Sequence, residues 1–143
     1  MFFSQTSEYA LRSVVCLADH PDVAMTTGEI ASISKVPSHY LSKVLQALGR
    51  AGIVKSQRGL HGGFSLSKDP GSLSMLEIIN AVDPIQSINS CPLNLESHGT
   101  NLCLLHQRLN DSITSIKNQF RNTTVQELLQ QTTGSRPLCE KSG

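Results

Sequence analysis

Two cysteines and two histidines lie close together in the second half of this 143-residue chain. They are Cys91, His98, Cys103 and His106. Thiolate and imidazole groups are ligands suited to zinc or to iron–sulfur clusters, and residues three apart at the start of a helix share one face. The spacing matches neither paired CxxC motifs nor a zinc finger. Metal ligation and chance proximity therefore both remain open on these residues alone.

Three other residues with ligating or reactive side chains have weaker patterns. Glu8 begins a predicted helix, where a carboxylate complements the helix dipole but is also available as a hard ligand. Cys16 is predicted to lie off the apolar stripe of that helix, Cys139 lies near the C-terminus, and neither is given a role. No nucleophile is paired with a base and no phosphate-binding loop precedes a helix, so the sequence predicts that the protein is not an enzyme.

A basic stretch between Lys35 and Lys68 points to a second kind of chemistry. It holds six Lys or Arg residues and no Asp or Glu, although the formal net charge of the whole chain is only +1. The six are Lys35, Lys43, Arg50, Lys55, Arg58 and Lys68. A local concentration of positive charge can bind phosphates even on a near-neutral protein. The alternative is an ordinary solvated face, and the elements that hold these residues favour DNA binding.

Helical periods define the elements that position the basic residues. An apolar stripe predicts a first helix over residues 7–18. A short second helix begins at a capping box, in which Thr26 and Glu29 would each accept from the other's backbone N–H group, and it ends before Pro37. The third helix ends near Gly52, and its inward residues are Leu41, Val44, Leu45 and Leu48. Two short helices joined by a break, the second polar and basic, are typical of a helix-turn-helix.

The residues after the third helix predict a β-hairpin. Two alternating segments flank the glycine-rich turn formed by residues 58–63. A hairpin that directly follows a helix-turn-helix is a wing, and its glycines allow the backbone to approach a phosphate closely. The predicted fold is therefore mainly α with a small β-hairpin wing: a winged helix-turn-helix followed by a long C-terminal dimerisation helix.

This fold predicts a partner and a set of contacts, because the start of the recognition helix enters the major groove of double-stranded DNA. Arg58 would bind phosphate or reach into the minor groove. The predicted DNA-binding residues are Thr26, Ser38, His39, Tyr40, Ser42, Lys43, Arg58, Gly59, His61 and Gly62.

The whole chain is predicted to divide into four parts. Residues 1–83 would form the DNA-binding domain, 84–101 a sensor loop, 102–131 the dimerisation helix with a short terminal helix, and 132–143 a flexible tail. The long helix has a wide apolar stripe, which a monomer could not cover and which predicts a homodimer on a pseudo-palindromic operator. The stripe consists of Leu102, Leu105, Leu109, Ile113, Ile116 and Phe120.

The sequence contains no recognisable targeting signal. No apolar run approaches the roughly 20 residues that span a bilayer, and the N-terminus does not resemble a secretory signal. The sequence therefore predicts a cytoplasmic protein with no membrane partner, whose cysteines are thiols or ligands rather than disulfides.

Taken together, these motifs resemble the Rrf-two family of bacterial winged helix-turn-helix repressors. The resemblance runs from Ser7 to about Gln131. It rests on the segments Ser38-His39-Tyr40-Leu41, 52–64 and 77–83, and their combination is specific. The family implies a homodimer built on the long helix. Its cluster-binding members hold an iron–sulfur cluster, usually through three cysteines, in the loop before that helix.

The resemblance also implies which residues would ligate a cluster. Cys91 and Cys103 match the first and third family cysteines, and His106 matches a histidine found in one member. The middle position holds Ser97, a poor iron ligand, with His98 beside it. Some relatives add a carboxylate from the first helix of the partner subunit, which matches Glu8.

The resemblance thus predicts a 2Fe-2S cluster that senses redox, nitric oxide or iron status, rather than a 4Fe-4S cluster. The ligands would be Cys91, Cys103, either His106 or His98, and Glu8. The alternatives are a cluster-free regulator that uses zinc, thiol oxidation or a metabolic-enzyme partner as its signal.

Overall fold

Six helices and one two-stranded hairpin make up the described part of the chain. The computed structural model describes residues 3–96, 101–130, 135 and 137–138. The elements are α1 (Gln5–Ala18), α2 (Thr27–Ser34), α3 (Ser38–Arg50), β1 (Val54–Gln57), β2 (Gly63–Leu66), α4 (Met75–Val82), α5 (Leu104–Arg121) and α6 (Val125–Leu129). This arrangement confirms the predicted winged helix-turn-helix with a long C-terminal helix.

Helix α1 is the centre of the domain and packs against α2, α3, α4, α6 and β2. Every residue from Ser13 to Ala18 is buried, so the end of this helix has no solvent-facing side. The prediction that Cys16 lies off the apolar stripe is therefore wrong, because its thiol is fully buried. Burial, together with the nearby charge of Asp19, raises the pKa of Cys16 to about 11. Cys16 is a protonated, weakly nucleophilic thiol at neutral pH.

The helix-turn-helix forms as its local signals predict. Thr26 Oγ1 accepts from the Glu29 backbone N–H at 3.2 Å, and Glu29 Oε1 accepts from the Thr26 N–H at 3.2 Å, which completes the capping box. Lys35 ends α2 in the left-handed region with φ +60°, and Pro37 lies at the N-cap of α3. The four predicted apolar residues of α3 are all buried.

The wing is an antiparallel hairpin in which Val54 pairs with Leu66 and Gln57 with Gly63. Met25, just before α2, adds a one-residue bridge to β2. Its N–H donates to the Phe64 carbonyl at 2.9 Å, and the Phe64 N–H donates to the Met25 carbonyl at 2.7 Å. The bridge ties the wing to the start of the helix-turn-helix. The sequence did not predict it, since a single bridging residue has no period.

Helix α4 connects the wing to the C-terminal half. Ser74 Oγ accepts from the Glu77 N–H at 3.2 Å, and the Glu77 carboxylate pairs with Lys68 at 2.9 Å. Lys68, the last residue of the basic stretch, therefore already has an acidic partner. The predicted tail over 132–143 lies mostly outside the described residues, but Leu138 packs against the core.

Helix α5 packs against α4 and has no fully buried residue. Its C-terminal half lies on its own chain, where Ile113 and Ile116 are half-buried and the ring centroid of Phe120 lies 5.2 Å from that of Phe3, with the rings tilted. Its first turns leave Leu105 and Leu109 exposed over 64% and 48% of their surfaces. The predicted apolar stripe is therefore not continuous in its burial: its C-terminal residues contact their own chain, and its N-terminal leucines are exposed to solvent. No described helix is both long and apolar enough to cross a membrane.

Candidate nucleic-acid interface and candidate metal ligands

The solvent face of α3 presents the predicted base-reading residues together. Ser38, His39, Ser42 and Lys43 are exposed opposite the buried stripe. Tyr40 differs, because it is 37% exposed and its ring lies edge-on to Tyr9 at 5.4 Å. Tyr40 therefore also packs the recognition helix against α1.

Gln46 is a further exposed residue on this polar face, and it was not among the predicted DNA-binding residues. It lies one turn after Ser42, and this i, i+4 spacing is the signal that could have identified it. A groove of about 380 Å³ separates α3 from the wing. Gln46 and Ser42 line its helix side, and Ser56 and Phe64 line its wing side. The recognition helix and the wing thus form two ridges with a groove between them.

The turn of the wing is exposed and basic. Arg58, Gly59 and His61 are exposed, and Arg58 forms no ion pair with any residue that the structure describes. The Gly62 N–H donates to the Gly59 carbonyl at 3.0 Å and closes the turn. The Arg58 guanidinium is therefore available to a phosphate or to the edge of a base.

Arg12 fastens α1 to the turn that precedes the recognition helix. Its Nη1 donates to the carbonyls of Ser34 and Lys35 at 3.4 and 3.5 Å. Its Nε pairs with Glu8 at 2.7 Å, and its guanidinium lies over the Tyr9 ring, 5.5 Å from the centroid. Through Tyr9 the same group supports Tyr40. The sequence reasoning missed Arg12, for which the only local signal is its i, i+4 spacing from Glu8.

We expect Arg12→Ala to weaken DNA binding by about fivefold, because α3 loses contacts worth about 1 kcal/mol that hold its start in place. The measurement is a DNA titration, accompanied by thermal unfolding. Arg121→Ala is the matched control, since Arg121 lies in the last turn of α5 and bonds only Asn118 among described residues. Equal affinities for Arg12→Ala and the wild type would show that α1 does not position the reading helix.

The candidate metal ligands are only partly brought together. Cys103 lies at the N-cap of α5, and its Sγ is 3.4 Å from His106 Nδ1. Two such ligands of one tetrahedral zinc ion would lie about 3.5 Å apart, so this pair has a chelating separation. Cys91 is buried with 4% exposure. Glu8 is held by Arg12.

A three-ligand site does not form within the part of the chain that the structure describes, where no three His, Cys, Asp or Glu side chains converge. Ser97, His98 and Cys139 lie outside the described residues. Two adjacent ligands are too few for a structural zinc site or an iron–sulfur cluster. The described arrangement within one chain therefore does not fit either group.

The chain is similar to known transcription regulators over most of its length. Residues 3–131 match the family model Rrf2, described as "Iron-dependent Transcriptional regulator". A protein of Aquifex aeolicus (strain VF5), named as an HTH-type transcriptional regulator, is 32% identical over 132 residues, which cover 90% of this chain and 92% of that protein.

Two solved structures share the fold. One is CymR, the global cysteine regulator of B. subtilis, with a TM-score of 0.73, 24% identity, and coverage of 90% of this chain and 95% of that one. The other is IscR of T. potens, with a TM-score of 0.75, 21% identity and 94% coverage of each chain. At these identities the likeness shows the fold alone.

Proposed function

Because the chain belongs to the Rrf2 family of transcriptional regulators, we propose that it acts as a repressor by binding a pseudo-palindromic operator in double-stranded DNA as a homodimer. Family membership confirms the resemblance inferred from the motifs, and it confirms that the protein is a regulator rather than an enzyme. The observation that carries the proposal is the exposed polar face of α3 beside an arginine on the wing that pairs with no acidic residue in the described part of the chain.

In this proposal the two ridges contact adjacent grooves of one duplex. The α3 face lies in the major groove, where Lys43 can donate to guanine and Gln46 can bond adenine. Arg58 lies on a phosphate or in the neighbouring minor groove, with Gly59, His61 and Gly62 beside it. The phosphate strand between the two grooves fits the groove between α3 and the wing. Thr26 contributes by holding the start of α2, since its hydroxyl belongs to the capping box.

A salt titration tests the proposal on an operator recovered by selection from random DNA. We expect Arg58→Ala to weaken binding to all sequences and to lower the slope of log K against log salt by about 0.9, which is the loss of one phosphate contact. Ser38→Ala or Lys43→Ala should instead change the preferred base at one position, by about 1–3 kcal/mol.

Lys68→Ala is the matched control for the lost charge. Lys68 belongs to the same basic stretch but pairs with Glu77, so its removal should leave the salt slope nearly unchanged. If neither Arg58→Ala nor Ser38→Ala altered affinity or base preference, the assignment of α3 and the wing as the DNA-reading surface would be wrong.

The dimer surface that we propose is the first half of α5. Leu104, Leu105 and Leu109 are exposed there over 63%, 64% and 48% of their surfaces. Burial of a leucine side chain stabilises by about 1.5–3 kcal/mol, so a second copy of this face is a favourable partner. The surface is narrower than the stripe predicted over 102–120, because Ile113, Ile116 and Phe120 lie against their own chain.

We propose that the sensing segment consists of the loop over 84–101 and the first turn of α5. Its ligand pair, Cys103 and His106, is favoured by the 3.4 Å separation. A 2Fe-2S cluster on Cys91, Cys103, His106 or His98, and Glu8 would use the buried thiol of Cys91 and would require Glu8 to leave Arg12. Zinc held with added ligands, thiol oxidation at Cys103, or a metabolic-enzyme partner is the alternative signal.

Anaerobic purification, followed by iron, sulfide and zinc analysis, tests the cluster hypothesis. A bound 2Fe-2S cluster predicts a coloured protein that contains iron and sulfide, and a loss of both in Cys91→Ala. Cys16→Ala serves as the control, since Cys16 is enclosed in the core and its removal should leave the colour unchanged. A colourless, iron-free protein after anaerobic reconstitution would eliminate the cluster and leave the cluster-free signals.

A further inference from the structure

Leu60 lies at the tip of the wing and is 96% exposed. A single exposed leucine is ordinary on a protein surface, but this one lies in a basic tip. Arg58 lies two residues before it and His61 directly after it, and no acidic residue occurs anywhere in the hairpin over 54–66. An apolar side chain at the centre of a basic tip suits a partner that has both phosphate charge and apolar surface.

The turn that presents Leu60 is held at several points. The Gly62 N–H closes it onto the Gly59 carbonyl at 3.0 Å, and the Gln57–Gly63 pair ends the ladder directly below it. Below that pair, Met25 bridges to Phe64. A backbone turn held by this many hydrogen bonds loses little further freedom when its tip binds, which lowers the cost of inserting the residue that it presents.

Nearby charges decide the direction from which a duplex approaches. A groove on the α2 side of the wing is lined by Asp22 and Glu29, along with Leu60 and His61. These carboxylates repel phosphate, which favours an approach of the duplex from the opposite side, where α3 and Lys43 are exposed. Leu60 borders the acidic groove but is 96% exposed, so the groove does not enclose it. With α3 in the major groove, the wing tip then faces the adjacent minor groove.

We propose that Leu60 is a wedge that enters the minor groove beside Arg58 and partly unstacks one base step. Leucine is among the side chains that proteins insert in this way. The wedge would select for deformable sequence without a hydrogen bond, because pyrimidine–purine steps such as TA and CA unstack most easily. This inference rests on the proposed DNA-binding function, and it assigns Leu60 as a specificity-determining residue in addition to those on α3.

The test compares full-length wild-type protein with Leu60→Ala on the operator selected by the wild type. We expect Leu60→Ala to lose about tenfold in operator affinity, with little change on mixed-sequence DNA and an unchanged salt slope, because leucine neutralises no phosphate. 2-Aminopurine placed at each step of the half-site should fluoresce more strongly at one step with the wild type and not with Leu60→Ala. Repeated selection with Leu60→Ala should lose the pyrimidine–purine preference at that step.

Val23→Ala is the matched control, since Val23 is also an exposed aliphatic residue in the groove on the α2 side; it should bind as the wild type does. Wild-type affinity in Leu60→Ala, or an equal loss on operator and mixed-sequence DNA, would overturn the wedge. Self-association in the absence of DNA that Leu60→Ala abolishes would also overturn it, in favour of a contact between copies. If the wild type bound no DNA at all, the proposed function itself would fail, which is a distinct result.

Discussion

Replacing Leu105 with glutamate is expected to convert the protein to a monomer and to reduce its affinity for a full operator by about 100-fold or more. Leu105 lies between Leu104 and Leu109 on the exposed start of α5. A carboxylate there must be desolvated to form the interface, which destabilises the dimer. Loss of the dimer separates two reading heads that otherwise bind two half-sites as one unit. Sedimentation velocity gives the mass, and a DNA titration gives the affinity.

The monomer should remain folded, because α5 also packs against α4 of its own chain and Phe120 contacts Phe3 independently of the partner. Binding to an isolated half-site should therefore change little. Val23→Glu is the control, since it places the same charge on an exposed aliphatic position outside α5. A Leu105→Glu protein that sediments as a dimer would refute the first half of α5 as the interface.

Gly63→Ala is expected to detach the wing from Met25, to lower the free energy of unfolding by about 2–3 kcal/mol, and to weaken DNA binding at least about tenfold. Gly63 has φ +150°, and a Cβ there would overlap the Met25 backbone. The chain must then give up the two hydrogen bonds between Met25 and Phe64, which hold the hairpin to the segment before α2. Denaturant unfolding measures the stability, and the operator titration measures the binding.

Gly49→Ala is a control that should change the free energy of unfolding in the opposite direction. Gly49 lies within α3, and a Cβ at this position meets nothing within 4 Å. Alanine in a helix should raise the free energy of unfolding by about 0.5–1 kcal/mol. If Gly63→Ala left stability unchanged while Gly49→Ala raised it, the close approach of Gly63 to Met25 would not be needed for the fold.

The features that the sequence predicted correctly depend on neighbours a few residues apart. The Thr26–Glu29 capping box, the buried stripe of α3 and the hairpin follow from helix caps, a 3.6-residue period and glycine-rich turns. The i, i+3 spacing of Cys103 and His106 likewise sufficed to predict that they share a face, and their side chains do meet. The motifs that indicated the family are also contiguous segments.

The errors and omissions arise where several elements converge. A helical period predicts burial of only one face of a helix. Five elements surround α1, so Cys16 is buried although it lies off the predicted apolar stripe. Lys68 belongs to the basic stretch in the sequence, but in the fold α4 places Glu77 beside it and the two side chains form an ion pair. Arg12 bonds carbonyls more than 20 residues away along the chain, and such contacts have no local spacing from which to predict them.

For the wing and the metal ligands, too, some features follow from local sequence and others only from tertiary packing. Local sequence was enough to establish that a recognition helix and a basic hairpin exist, because caps, turns and periods act within a few residues. Packing determined that Met25 anchors the hairpin, that α5 covers its own chain with one half and exposes leucines on the other, and that Cys91 is buried. It also determined that no three ligating side chains meet among the residues that the structure describes. The physical reason is that burial and convergence depend on which distant surfaces meet, and a linear pattern contains no information on that.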